Sequence, residues 1–178
     1  MEWMILPLKR YADFRGRSRR KEFWMWVLFL ILATVLVSMI DVALGLGGSG
    51  YADAGADPSG FRAGAGLFGG VLTIVFSLAV LIPNLAVQVR RLHDIDRTGW
   101  WVLVPILSYL LGVVSLVAGF FGGGAGLAVI GVPLLLVAGV SGLVLLVFFC
   151  LDGTRGPNRF GPDPKDPAAG RNLEEVFR

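Results

Sequence analysis

A chain of 178 residues, 55% of them hydrophobic and only 16% charged, is too apolar for an ordinary soluble domain. Its net charge of +3 and pI near 9.4 do not point to nucleic acid. The basic residues flank apolar runs, where membrane topology and anionic lipid account for them. One cysteine, Cys150, and one histidine, His93, exclude an intrachain disulfide and a thiolate metal cluster.

Residues 1–21 form a basic and aromatic lead. Within it Met4-Ile5-Leu6-Pro7-Leu8, following Trp3, has the composition of a short interfacial amphipathic piece. The run from Phe14 through Arg15, Gly16, Arg17, Ser18, Arg19, Arg20, Lys21, Glu22 and Phe23 to Trp24 sets a basic cluster against aromatic residues. That is the pattern of a helix passing from headgroups into hydrocarbon. The apolar run after it is too long for a signal-peptide core and lacks a small-residue cleavage pattern, so an uncleaved anchor is expected. Ser18 is the expected N-cap, with Lys21 and Glu22 in the first turn. Span one covers about residues 22–44. Asp41 lies ~28 Å along it from Glu22, near the far interface, and reads as a snorkelling or capping carboxylate in preference to a buried relay.

Residues 45–66 form a glycine-rich outer loop with a turn at Asp57-Pro58-Ser59-Gly60. Span two, about 67–89, carries Thr73, Ser77, Pro83, Asn84 and Gln88. Pro83 lacks a backbone donor and should kink the helix or free a carbonyl. At ~100° per residue, Thr73, Ser77, Asn84 and Gln88 fall within about 60° of one another, a single intramembrane polar stripe. Helix packing uses such a stripe, and so would a water-filled path.

Next come Arg90-Arg91-Leu92-His93-Asp94-Ile95-Asp96-Arg97-Thr98-Gly99-Trp100-Trp101, read as a polar loop, and then no charged residue from Thr98 to Leu151. As one helix that stretch would be ~80 Å long, against ~30 Å of bilayer hydrocarbon. It must fold back, giving span three at about 100–120 and span four at about 127–151, joined at Phe120-Phe121-Gly122-Gly123-Gly124-Ala125-Gly126. Gly139 and Gly142 are expected to allow close helix approach. The tail, 152–178, opens with a Pro- and Gly-rich segment that reads as ordered turns, with a short helical turn at 171–178.

Seven of the 16 Lys and Arg residues lie in the lead, three in the central loop, five in the tail, and Arg62 alone in the outer loop. The positive-inside rule then predicts an all-α, polytopic membrane protein with four transmembrane helices and both termini cytoplasmic. This topology brings three polar segments to one face: Arg15, Arg17 and Arg20; Arg90, Arg91, His93, Asp94 and Trp100; Asp152, Asn158, Arg159 and Asp163. Arginines and aspartates at that density form an ion-pair network or hold a phosphate. Structural pairing is preferred. His93 beside Asp94 reads as a capping loop histidine in preference to a general acid–base. No catalytic residue, metal ligand set or cofactor motif is found.

Three motifs, in order, carry a resemblance: Phe14 to Trp24, Arg90 to Trp101, and Gly156-Pro157-Asn158-Arg159-Phe160-Gly161-Pro162-Asp163-Pro164. The chain resembles the YhaH-type bacterial inner-membrane proteins, domain-of-unknown-function family 805, over about residues 10–165. That family's loop usually has a glycine where Asp96 stands, and its outer loop and hairpin are shorter. The resemblance implies a small polytopic inner-membrane protein and brings no activity with it. The expected function is non-enzymatic: an inner-face cluster that holds the bundle and engages anionic lipid or a membrane-protein partner. The alternatives are a lipid-headgroup enzyme using His93 and Asp94, or a small transporter or channel component using the span-two stripe.

Overall fold

The computed structural model describes residues 2–46, 70–123 and 125–166. Most of the expected outer loop, and the helical turn expected at 171–178, lie outside these residues. The described elements are helical: α1 (Glu2–Lys9), α2 (Arg20–Ala43), α3 (Val71–Asp94), a 3-10 turn (Gly99–Val102), α4 (Leu103–Ala118) and α5 (Ala125–Cys150). One isolated bridge joins Asn158 and Gly161 in the tail. Four stretches, Arg20–Ala43, Val71–Asp94, Gly99–Gly122 and Val129–Cys150, are long and apolar enough to cross a membrane. Their large apolar side chains face outward: Met39 is 67% exposed, Leu78 65% and Leu136 65%. That surface suits hydrocarbon and not water.

Two expectations about helix ends change. Ser18 is not the cap of α2. Phe23 N–H donates to the Arg19 carbonyl (3.2 Å), so Arg19 holds the capping position, while Ser18 N–H donates to Arg90 O (3.1 Å). The buried Ser18 Oγ has no hydrogen-bond partner among the described residues. Helix α3 also runs five residues past the expected end of span two, so Arg90 to Asp94 form its final turn and not a loop. Hydropathy falls at Arg90, but the backbone ladder continues because other segments supply partners for its last carbonyls.

The chain divides into two units. The first comprises residues 1–13 and 24–86. In it the fully buried Asp41 of α2 accepts hydrogen bonds from Leu72 N (2.9 Å), Thr73 N (2.7 Å) and Thr73 Oγ1 (2.7 Å). A carboxylate from another helix thus caps the N-terminus of α3, where orphan N–H groups and the positive dipole end favour it. Gly70 leaves room for it; a Cβ there would strike the Asp41 carboxylate. Eleven residues on, Asn84 Oδ1 accepts from the Trp26 indole (3.3 Å), so α2 and α3 run antiparallel here.

Pro83 lies inside α3 and is buried. It has no N–H for the carbonyl of Ala79, four residues earlier. Tyr11 supplies the missing donor, its hydroxyl donating to Ala79 O at 2.5 Å. The freed carbonyl exists, and the lead segment satisfies it.

The second unit comprises residues 14–23 and 87–178. Its helices α4 and α5 form an antiparallel hairpin that turns at Gly122, whose φ of 123° suits glycine. Ser115 Oγ donates to Leu127 O (2.5 Å) near the turn, and Trp101 meets Phe148 edge-on (5.5 Å) at the far end. The close approach is at Gly112 and Gly131, since a Cβ on Gly131 would lie 2.9 Å from Gly112 O. Gly139 and Gly142, expected to serve this purpose, face open space. The α5 seam runs through Gly131, Ala138 and Leu145 at seven-residue spacing, and Gly139 is off it.

Replacing Tyr11 with Phe leaves Ala79 O unpaired and should lower stability by ~1–3 kcal/mol in detergent unfolding. Adding Pro83→Ala restores an N–H to the helix, so the double variant should recover most of that loss. Equal losses in both would show that the hydroxyl has no such role.

Candidate functional site

The site forms where two helices end. Near the end of α3, Arg90 O accepts from Ser18 N (3.1 Å) and Leu92 O from Ile95 N (3.1 Å) and Arg97 N (2.9 Å). His93 O accepts from Asp96 N (3.1 Å) and Asn158 Nδ2 (2.9 Å). Asp94 O accepts from Thr154 N (2.8 Å), Thr154 Oγ1 (3.1 Å) and Arg17 Nη2 (3.4 Å). At the end of α5, Phe149 O takes Arg91 Nε (3.3 Å), Cys150 O takes Arg20 Nη1 (2.9 Å), and Leu151 O takes Arg91 Nη2. Apart from Arg90 O, these carbonyls lie beyond the reach of intrahelical donors and carry the negative dipole end, which guanidinium groups complement.

At the centre, the Asp94 carboxylate is clamped by two arginines. Arg17 Nε meets Oδ1 at 3.0 Å and Arg91 Nη1 meets Oδ2 at 2.6 Å, with all three side chains at most 4% exposed. Arg17 also reaches the tail, donating to Gly156 O (2.7 Å) and Thr154 O (2.5 Å). Every guanidinium nitrogen of Arg17 and Arg91 is therefore engaged by a protein oxygen. Gly153 passes directly against Asp94, where a Cβ would overlap the carboxylate. Beside this clamp, Arg90 and Glu22 form a second buried pair at 3.4 Å.

His93 touches both neighbouring motifs. Its Nδ1 lies 3.2 Å from Gly16 O, and its ring stacks on Phe160 at 3.9 Å and 3°. A carbonyl only accepts, so Nδ1 carries the proton and Nε2 of the neutral ring is the basic nitrogen. Arg159 lies over Phe160 (4.8 Å), donates to Asp96 Oδ1 (3.0 Å) and reaches Asp96 O (2.8 Å). Asp96 takes φ 57°. An aspartate thus stands in the left-handed region, which short polar side chains tolerate.

The tail is ordered by side chain to backbone bonds. Asn158 Oδ1 accepts from Phe160 N (3.0 Å), and Asp163 accepts from Lys165 N (2.8 Å) and Gly156 N (3.1 Å). The bond from Lys165 N, helped by that from Gly156 N, holds the Asp163 carboxyl below its ordinary pKa. Asp152 pairs with Arg20 and, at 3.4 Å, with Lys165.

The structure brings Arg17, Arg20, Arg90, Arg91, His93, Asp94, Asp152, Asn158, Arg159 and Asp163 into one connected network. Arg15 is exposed beside it. Trp100, 74% exposed at the start of its span, turns outward and not into the network. The tail's turn composition marks the region but not that Gly153 and Thr154 meet Asp94 or that Phe160 stacks on His93. Three members of the span-two stripe have protein partners: Thr73 on Asp41, Ser77 Oγ on Thr73 O (2.7 Å), and Asn84 on Trp26. Gln88 is half-buried.

A family model described as a protein of unknown function, DUF805, matches residues 11–162. The inner membrane protein YhaH of Escherichia coli K12 is 35% identical over 165 residues, covering 93% of this chain and 98% of that protein. The inner membrane protein YhaI of the same strain is 33% identical, covering 93% and 97%. The uncharacterized protein YiiR is 29% identical, covering 86% and 87%. No solved structure matches the chain. With four candidate spans, the chain is a small integral inner-membrane protein.

Asp94→Asn keeps the shape but leaves two buried guanidinium groups without their anion. Stability should fall by roughly 3–5 kcal/mol in detergent denaturation. Gly153→Ala should act in the same direction, and wild-type unfolding of both would remove the clamp's importance. Separately, the depressed Asp163 pKa means its contribution is complete above the ordinary carboxylate value of ~4 and is lost as pH falls through the lower native value. Amide exchange at Gly156 and Lys165 should accelerate below that pH, and Asp163→Asn should remove this dependence.

Proposed function

The chain belongs to the DUF805 family, and on that premise we propose that it is a non-catalytic membrane module with both ends cytoplasmic. Its Arg/Asp network fastens the tail to the helix ends and offers a basic rim to anionic lipid headgroups. The observation that carries this reading is that each guanidinium nitrogen of Arg17 and Arg91 donates to a protein oxygen, in side chains that are at most 1% exposed. Buried arginines so occupied hold structure together and lie out of reach of a substrate phosphate.

The sidedness rests on the Lys and Arg distribution. The lead into α2 and the tail after α5 meet in one unit, as an even number of crossings requires. Exposed aromatic residues support the membrane level: Trp100 and Trp101 stand beside Arg97 at one end of a span, Phe120 and Phe121 at the other. Twenty residues of helix separate them, ~30 Å, the thickness of the hydrocarbon core. Aromatic belts mark these boundaries in membrane proteins.

Arg91→Ala removes a partner of Asp94 and two carbonyl caps, so membrane accumulation and melting temperature should drop sharply. Arg159→Ala breaks an exposed ion pair, the bond to Asp96 O and the contact over Phe160, and at this exposed site should cost only about 1 kcal/mol. A C-terminal reporter that is active only on the cytoplasmic side should be active in the wild type. Wild-type melting of Arg91→Ala, or a reporter active only outside, would overturn the reading.

A further inference from the structure

Outside the buried clamp, two cations converge on one exposed carboxylate oxygen. Arg20 Nη2 and Lys165 Nζ (3.4 Å) both contact Asp152 Oδ1, and the three side chains are 44%, 58% and 66% exposed respectively. Both cations are held from behind. Arg20 is anchored through Nη1 to Cys150 O, the last residue of α5 (2.9 Å). Lys165 is carried on a turn closed by Lys165 N to Asp163 Oδ1 (2.8 Å) and Asp166 N to Asp163 O (3.1 Å). The trio has a net positive charge, and it sits where a span leaves the hydrocarbon.

We propose that Arg20 and Lys165 seat the phosphate of an anionic lipid headgroup, with Asp152 as the placeholder the phosphate displaces. This rests on the lipid-facing reading above and narrows it to one place. An exposed ion pair is weak and screened, so exchanging its anion is easy. A phosphodiester brings two non-bridging oxygens where Asp152 offers one to both cations, and the guanidinium fork suits them. The source is lipid because Arg20 is tied to the end of a span, at headgroup depth, where the anionic leaflet concentrates phosphate and attracts basic groups. Arg17 and Arg91 are not part of this seat, being occupied by Asp94 and carbonyl oxygens.

The test is native mass spectrometry of the full chain titrated with phosphatidylglycerol, with phosphatidylcholine and inorganic phosphate as parallel probes. Lys165→Gln should weaken phosphatidylglycerol binding on the order of fivefold, the usual effect of one basic residue at an anionic surface. Asp152→Asn should strengthen it, because the competing carboxylate charge is gone. A purely structural Asp152 bridge would give the opposite or no change, and that result overturns the seat. Arg20→Gln also loses the Cys150 cap and can unfold, so the decision rests on the two exposed variants. If phosphatidylglycerol preference persists unaltered in both, this seat is wrong while the wider lipid reading survives. If the wild type binds both lipids equally, the wider reading fails. Displacement by millimolar inorganic phosphate would mean a free-anion site and overturn the lipid assignment.

Discussion

A helix that stops at a membrane interface leaves several carbonyls without donors, and in the second unit two helices stop in the same small volume. Their C-termini carry like partial charges, so each would be better apart unless cations lie between them. Arg17, Arg20 and Arg91 occupy that position. Arginine suits this better than lysine, because one planar group can meet a carboxylate and a carbonyl at fixed angles. Arg91 does so, binding Asp94 through Nη1, Phe149 O of α5 through Nε and Leu151 O, just past α5, through Nη2.

The arginines in turn need an anion, since two buried positive charges side by side would repel. Asp94 supplies it from the final residue of α3, so the carboxylate and the carbonyl of one residue both face Arg17. The tail then takes its shape from the same groups. It contains no helix or long strand among the described residues, yet Thr154, Gly156 and Asn158 are pinned through Asp94, Arg17 and His93. Its order is borrowed from helix ends and not built from a core of its own.

Much of this was legible in the residues. Apolar length leads to four membrane spans, and four stretches of the structure are long and apolar enough for that. Pro83 announced a freed carbonyl, and Asp41 a cap. What stayed hidden were partners distant in sequence: Tyr11 lies 68 positions from Ala79, and nothing local links them. Hydropathy does not reveal the last turn of α3, because it reports the solvent around a helix while the ladder depends on backbone donors. For Gly139 and Gly142, composition shows small residues but not which face the neighbouring helix takes.

Helix α3 shows one rule acting at both of its ends. Its first turn receives a carboxylate from Asp41 of α2, and its last turn receives a guanidinium from Arg17 and N–H groups from the tail. Each charge has the sign that the helix dipole favours at that end. Each also comes from outside the helix, so α3 is completed only when the flanking segments are in place. A span made this way gains its termini from tertiary structure and not from its own caps. That explains why the sequence around Arg90 to Asp94 looks like a polar loop and behaves as helix.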